Sequence, residues 1–512
     1  MEKEQLNGLN AIELKGINKS FGSVVANKNI DLTVRKGEIL ALLGENGSGK
    51  TTLMNMLSGI YRPDSGSVFV YGQEVHIYTP QDALNLGIGM IHQHYKLVDN
   101  LSAAENIVLG TKTKKQSMSQ LAKNIEQLSL HFGLNIDPNK KIYDMSVSEK
   151  QTVEIVKVLY RGAKILVLDE PTAVLTPQES KKLFAIITKM KEEGNSIIII
   201  THKLNEVMEV SDRVSVLRKG ECVATVETKK SSAEQLTELM VGRAVDLSIE
   251  RPETFKSDPV LEIVRLGVRN DEGVEMLKDV NFDLRSGEIL GVAGVAGSGQ
   301  KELCEALAGL QKVEKGAILY YKENIVGRTP DEIIRLGISM SFVPEDRLGM
   351  GLVASMGMTD NMLLKTYKQS RGGFVKRSPA RLKAKALIER LDIITPGTET
   401  PVSKLSGGNV QKVLLGREIE SQPNVLITAY PVRGLDINSA YTIYDLLNEQ
   451  KMKGVAILFI GEDLDVLLEL CDRIMVLYDG QVQDILQADQ VTKEQIGLLM
   501  TGQKPRELKE VR

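Results

Sequence analysis

A chain of 512 residues with 64 Lys and Arg against 67 Asp and Glu carries a formal net charge of −3, which argues against a general nucleic-acid binder. At 42% hydrophobic and 26% charged residues it has an ordinary globular composition, and no apolar run approaches the ~18–20 residues that span a bilayer. Cys222, Cys304 and Cys471 are isolated, which excludes a CxxC metal pair and a disulfide framework; with no apolar core in the opening MEKEQLNGLN, the cytosol is the expected compartment.

The first predicted element with chemistry attached is the apolar strand Ile39–Leu43. It runs into GENGSGKT at 44–51 and then a predicted helix, Thr51–Ser58. Strand, glycine-rich loop and helix are the context of a phosphate-binding P-loop. Its candidate nucleotide-binding residues are Gly44, Glu45, Asn46, Gly47, Ser48, Gly49, Lys50, Thr51 and Thr52. The glycines let backbone N–H groups curl around phosphates, and the helix N-terminus adds positive potential. Lys50 is placed to reach the β- and γ-phosphates, and the Thr51 hydroxyl to hold Mg²⁺. A glycine-rich turn with no ligand is the bland alternative. It does not account for every fixed position matching in this context.

Further along, residues 111–165 are rich in Lys, Gln and Leu and helical in pattern, as an insertion before the strand Ile165–Leu168. The run Ser196–Thr201 has strand length. A polar stretch near 246–258 marks a boundary, and then the chain repeats itself. Residues 36–59 read KGEILALLGENGSGKTTLMNMLSG, and 286–309 read SGEILGVAGVAGSGQKELCEALAG. Gly37, Gly44, Gly47 and Gly49 recur at Gly287, Gly294, Gly297 and Gly299, an offset of 250. So one domain is duplicated, as 1–246 and 258–505. In the second copy Gln300 replaces Lys50 and Lys301 replaces Thr51, removing the charge and the cation ligand. Residues 371–423 stand where the first half has its helical insertion, and Val455–Ile460 is another strand-length run. The tail QKPRELKEVR is charged, is expected to fray, and is assigned no function.

Other motifs follow the first P-loop in order. Gln93 lies in GMIHQHYKL, MSVSEKQ occupies 145–151, ILVLDEPT 165–172 and THK 201–203; Phe21 lies upstream in KSFG. Together they resemble the ATP-binding cassette (ABC) ATPases over essentially the whole chain. The resemblance implies an α/β fold of two tandem ABC-type P-loop ATPase domains, each a RecA-like core with a β subdomain and a helical signature subdomain. It implies ATP and Mg²⁺ as ligands. Phe21 would stack on adenine, and Asp169, with Thr51 and Gln93, would orient Mg²⁺. Glu170 would polarise the attacking water, and His202 would hydrogen-bond the γ-phosphate. Singly, an Asp-Glu pair is a solvated strand end and a lone histidine a surface residue. Their order after an intact P-loop favours the catalytic reading.

The second half inverts the pattern. Its signature, Leu405–Ser406–Gly407–Gly408–Asn409, is close to the family's LSGGQ, whereas the first half has MSVSE. At an offset of 260, Ala429 replaces Asp169, Tyr430 replaces Glu170 and Glu462 replaces His202. Glu345 stands where the first half has Gln93, and no aromatic corresponds to Phe21. RGLD ends in Asp436, as the family's D-loop does, where the first half has Thr176. Family members sandwich nucleotides head-to-tail, P-loop against the opposing signature. One site then combines the intact P-loop, Gln93, Asp169, Glu170 and His202 with Ser406, Gly407, Gly408 and Asn409. The other collects the altered parts. Pairing between two identical chains is the less favoured alternative, since it sets the working P-loop against the altered signature.

Two cassettes without a membrane span resemble the ATPase subunit of sugar and nucleoside importers, and 87–110, with its HQH at 92–94, is nearer the nucleoside branch. Two solvated surface histidines are the bland alternative for His92 and His94. The resemblance implies ATP hydrolysis coupled to transport and two integral membrane permease subunits docked near 93–106 and 345–361. It implies, indirectly, an extracellular substrate-binding lipoprotein or periplasmic protein, no nucleic acid, and a place on the cytoplasmic face of the membrane. Simple-sugar import of the ribose or galactose type is the runner-up. A soluble tandem ABC protein acting on ribosomes or DNA is the alternative of another class, against which stand a single intact site and no CxxC pairs. A regulatory module without turnover conflicts with an intact Glu170 and His202.

Overall fold

The computed structural model describes residues 10–503 except 23, 94, 112–115, 174, 244–246, 254–257, 271, 343–350, 366 and 368–374, and only the backbone of 341 and 342. Two compact units result, Met1–Asp246 and Leu247–Arg512.

The first unit is built on a six-stranded sheet. Its order is Glu221–Glu227, Arg213–Arg218, Ile39–Leu43, Ser196–Thr201, Ile165–Asp169, Ile88–Ile91. All neighbours run parallel except the first pair. The runs ILALL, ILVLD and SIIIIT are buried at every position, as strands covered on both faces must be. One face packs against an antiparallel sheet of Val24–Arg35, Asn10–Phe21, Ser65–Val70 and Gln73–Val75, through Leu40, Leu42, Ile12 and Ile30. The other face packs, through Ile39, Leu166 and Ile197, on the helical part with Met118–His131 and Val147–Tyr160. The expected insertion is therefore helical, interrupted by the turn Ile142–Asp144.

Register decides where function can lie. Leu43 pairs with Thr201, and Asp169 with Ile200, so three parallel strands end level with one another. Their carboxyl ends lead into the P-loop, Glu170 and His202, the crevice where open parallel sheets bind ligands.

The second unit repeats the plan. Its six-stranded sheet runs Ile338–Phe342, Val425–Ala429, Ala456–Ile460, Ile289–Ala293, Arg473–Tyr478, Gln481–Gln487. Four antiparallel strands flank it: Glu275–Arg285, Pro259–Arg269, Val313–Tyr320 and Glu323–Asn324. The described part of the boundary stretch, 247–253, is anchored rather than free. Tyr441 donates to the Leu247 carbonyl at 2.9 Å, Asn448 to Glu250 at 2.6 Å and Lys451 to Pro252 at 2.7 Å. Within this unit Glu418 is fully buried, held by Ser339 at 2.6 Å, Lys365 at 2.7 Å and Arg417 at 2.8 Å. Burial alone would raise its carboxyl pKa; Lys365 and Arg417 bring it below the usual carboxylate range. Among the described residues, no helix is long and apolar enough to cross a membrane.

Candidate functional site

The loop 44–49 is pressed between two backbone segments. A Cβ at Gly44 would stand 2.3 Å from the Leu217 carbonyl, and one at Gly49 2.3 Å from that of Ala26. Gly49 also has φ 98° and caps the helix Lys50–Leu57 without a side-chain bond, leaving first-turn N–H groups for an anion. The Ser48 hydroxyl is buried with no hydrogen-bond partner. Asn27, fully buried, donates from Nδ2 to the Gly49 carbonyl at 3.2 Å and fixes the loop to the strand Val24–Arg35. This cradle fits phosphate: it excludes side chains and presents donors.

Lys50 is 6% exposed and folds back over the loop, donating to the Gly44 carbonyl at 2.6 Å and the Glu45 carbonyl at 2.9 Å. Burial lowers its pKa, opposed by the charges of Glu170, Asp169 and Glu45. Burial, then the Glu170 charge, pushes the Asp169 carboxyl up to about 6, against the pull of Lys50 and a hydrogen bond from Thr51. That last contact joins the P-loop helix to the end of Ile165–Asp169. A hydroxyl beside a carboxylate is a hard oxygen pair suited to Mg²⁺, an ion that takes few protein ligands and completes its shell with phosphate and water.

Glu170 has φ 48°, left-handed for a non-glycine residue, and its N–H donates to the Ile200 carbonyl at 2.9 Å. This turn aims its carboxylate at the next strand end, where His202 Nδ1 lies 2.8 Å from Glu170 Oε1. The glutamate side chain is 11% exposed and the histidine 49%, so the pair sits at the mouth of the site. Gln93 is exposed just beyond Ile91. The segment after it is pinned to the helix Val147–Tyr160, Lys96 N–H donating to Glu154 at 2.9 Å. His92 is half-buried, with its pKa lowered by burial and by Lys96; His94 lies outside the described residues. Phe21 is 44% exposed and meets Tyr61 edge-on, with ring centroids 5.2 Å apart.

The second unit keeps this backbone and loses the groups. Tyr430 has φ 52° and donates its N–H to the Ile460 carbonyl at 2.8 Å, as Glu170 does to Ile200. Its phenol is pushed up to about 12 by burial and by Glu462. Gln300 Nε2 donates to the Val295 carbonyl at 3.1 Å. Glu345 lies outside the described residues.

The two signature helices differ in how they begin. In Val147–Tyr160, Glu149 closes a capping box with Ser146, accepting the Ser146 N–H at 2.7 Å, and pairs with Lys140 at 2.7 Å. Its own carboxylate therefore occupies the helix N-terminus. Burial would raise its pKa, but Lys140 and the Ser146 N–H hold it low. Gly407–Ile419 starts on neutral groups, with Asn409 Nδ2 donating to Ser406 Oγ at 2.9 Å. Only the second helix leaves its positive end for an outside anion.

Sequence reading missed Asn27 and Tyr61. Both are visible once the halves are compared at their offset of 250, where Leu277 and Gln311 replace them.

The family described as ABC transporter matches residues 27–173 and 277–431. Nucleoside import ATP-binding protein NupA of Lactococcus lactis subsp. cremoris is 43% identical, over 96% of this chain and 98% of its own. Guanosine import ATP-binding protein NupO of Bacillus subtilis is 43% identical over 97% and 98%. Ribose import ATP-binding protein RbsA of Clostridium tetani is 36% identical over 97% and 98%. A solved structure of cbiO1 from Clostridium perfringens, part of an ABC transporter complex, aligns with 44% of this chain and 92% of its own at 27% identity and a TM-score of 0.40.

Proposed function

This chain belongs to the ABC transporter family, and we propose that it is the ATP-hydrolysing subunit of an importer whose cargo is nucleosides. Relatives 43% identical to this chain are named import ATP-binding proteins, which supports that reading. The observation that carries the hydrolytic assignment is the Glu170–His202 pair, 2.8 Å apart at strand ends beside Lys50, Thr51 and Asp169.

Gly44 to Gly49 cradle the triphosphate, with Glu45, Asn46, Gly47 and Ser48 in the loop and Thr52 in the helix behind it. Phe21 stacks on the base. Lys50 leaves its two loop carbonyls for the β- and γ-phosphate oxygens. Thr51, Asp169 and Gln93 would hold Mg²⁺, which would offset phosphate charge. Glu170 accepts a proton from water as the water oxygen attacks the γ-phosphorus and the bond to the β-phosphate oxygen breaks. His202 steadies the γ-phosphate oxygens. Ser406, Gly407, Gly408 and Asn409 are the second unit's signature sequence, at the start of the helix Gly407–Ile419.

Two membrane permeases would couple the hydrolysis to transport, with a lipoprotein or periplasmic protein delivering cargo outside and this chain on the cytoplasmic face. The names of NupA and NupO support nucleosides; that of RbsA supports a simple sugar as the second reading. Uptake of radiolabelled guanosine, adenosine and ribose by cells with and without the gene separates them. Loss of ribose uptake with nucleoside uptake unchanged would overturn the cargo assignment.

A further inference from the structure

Within the first unit a single carboxylate bridges the two strand ends that carry the hydrolytic groups. Glu206, on the short helix Leu204–Val210, has a side chain 13% exposed. Its Oε1 accepts from the Thr172 hydroxyl and lies 3.3 Å from Lys203 Nζ. Its Oε2 accepts from Thr201 Oγ1 at 3.2 Å. Thr172 stands two residues beyond Glu170, and Thr201 immediately before His202. Thr201 Oγ1 in turn accepts the Lys203 backbone N–H at 3.0 Å, closing a turn around His202. The peptide on both sides of His202 and the chain just past Glu170 are thus tied to one side chain.

The bland reading is a first-turn carboxylate complementing its helix. Yet Lys203, the N-cap, makes no side-chain cap, and the Glu206 oxygens are directed to Thr172 and Thr201. The second unit supplies an internal comparison. At the offset of 260 that aligns Asp169 with Ala429, Glu170 with Tyr430 and His202 with Glu462, Thr172 aligns with Val432, Thr201 with Gly461 and Glu206 with Val466. The scaffold persists there: the helix Leu464–Leu470, the left-handed Tyr430 and its bond to Ile460 are all kept. Val466 packs against the apolar core instead. A clasp needed to form this fold would have survived in the second copy. This one is absent together with the hydrolytic groups.

We infer that Glu206 is a positioning residue, holding His202 and Glu170 in mutual register through Thr201 and Thr172. The inference rests on the hydrolytic reading of that pair. It goes beyond it by assigning a residue that acts through Thr201 and Thr172.

The test uses the full chain with two substitutions: Glu206→Gln, which keeps the shape, and Glu206→Val, the residue of the second unit. With five histidines in the chain, ring Cε1–H signals of the nucleotide-free protein can be assigned by the one lost in His202→Ala. The His202 signal is expected to move in both variants while the other signals stay. Outer partners that orient a reacting group are worth roughly 10–100-fold. A kcat lowered by that factor is expected for Glu206→Val, with the ATP KM held within about twofold, the split of a group acting on the transition state. In a His202→Ala background the same substitution should add little. An unmoved His202 signal, an unchanged kcat, or a loss appearing in KM alone would overturn the inference. Full turnover by Glu170→Gln would instead overturn the hydrolytic reading, and the histidine spectrum would still decide the positioning.

Discussion

His202 and Glu170 are 32 positions apart in sequence and 2.8 Å apart in space, ring Nδ1 to carboxylate Oε1. The pairing follows from register. Asp169 lies opposite Ile200 on adjacent parallel strands, so each strand delivers its next residues to one edge. The left-handed turn at Glu170 then points its side chain across to His202.

Glu170→Gln should leave ATP binding intact and lower hydrolysis by roughly 10²–10⁴, the usual worth of a positioned base. Lys50→Ala should weaken nucleotide binding itself. Nucleotide titration and steady-state phosphate release on the same samples separate the two. Near-full turnover by Glu170→Gln would remove it as the base.

Ser406→Arg should abolish hydrolysis, because it puts bulk and charge at a signature helix that starts on neutral groups. Ser146→Arg should cost far less. The helix it begins is already closed by its own Glu149. Phosphate release compares them, and equal losses would contradict the assigned asymmetry of the two signatures.

Asp169 is raised to about 6 in the folded nucleotide-free protein, above its ordinary 3.8. A group raised by folding contributes stability that is present below its unfolded pKa and lost as pH rises through the folded one. Asp169→Asn should therefore unfold like the parent at about pH 4 and be more stable than it near pH 7.5, by up to about 3 kcal/mol. Denaturant unfolding without magnesium or nucleotide measures this. A variant less stable than its parent near neutrality would show that Asp169 is not strained by its charge.

Lys365→Met removes one of the two cations beside the fully buried Glu418. Breaking a buried pair leaves an uncompensated charge; a loss of about 3 kcal/mol is expected, the lower end of such effects because Arg417 remains. The unfolding transition of the second unit reads it. Restoring stability by a second change, Glu418→Gln, would confirm the cause.

Much of this was legible in the sequence. The run ILALLGENGSGKT announces strand, loop and helix at once, because each position is constrained by backbone geometry or phosphate chemistry. SIIIIT reads as an apolar run of strand length, and the structure buries it at every position. The 250-residue repeat shows which parts of one copy are altered. What stayed hidden was long-range and polar. Glu206 looks like any first-turn glutamate until Thr172, in the turn after Ile165–Asp169, and Thr201, at the end of Ser196–Thr201, lie beside it. Asn27 shows in the sequence only as a position that differs between the halves, and its hold on Gly49 from 22 residues away needs the fold. The stretch Leu247–Pro252 reads as a linker because it is polar, yet its carbonyls accept from Tyr441, Asn448 and Lys451.

The central claim is that ATP hydrolysis at the first unit drives nucleoside import. Radiolabelled guanosine uptake in cells whose only copy carries either Glu170→Gln or Tyr430→Phe tests it most directly, since both positions share the same left-handed turn in their own units. Uptake should be lost with Glu170→Gln and retained with Tyr430→Phe. Guanosine uptake that survives Glu170→Gln, or that fails equally in both, would contradict it.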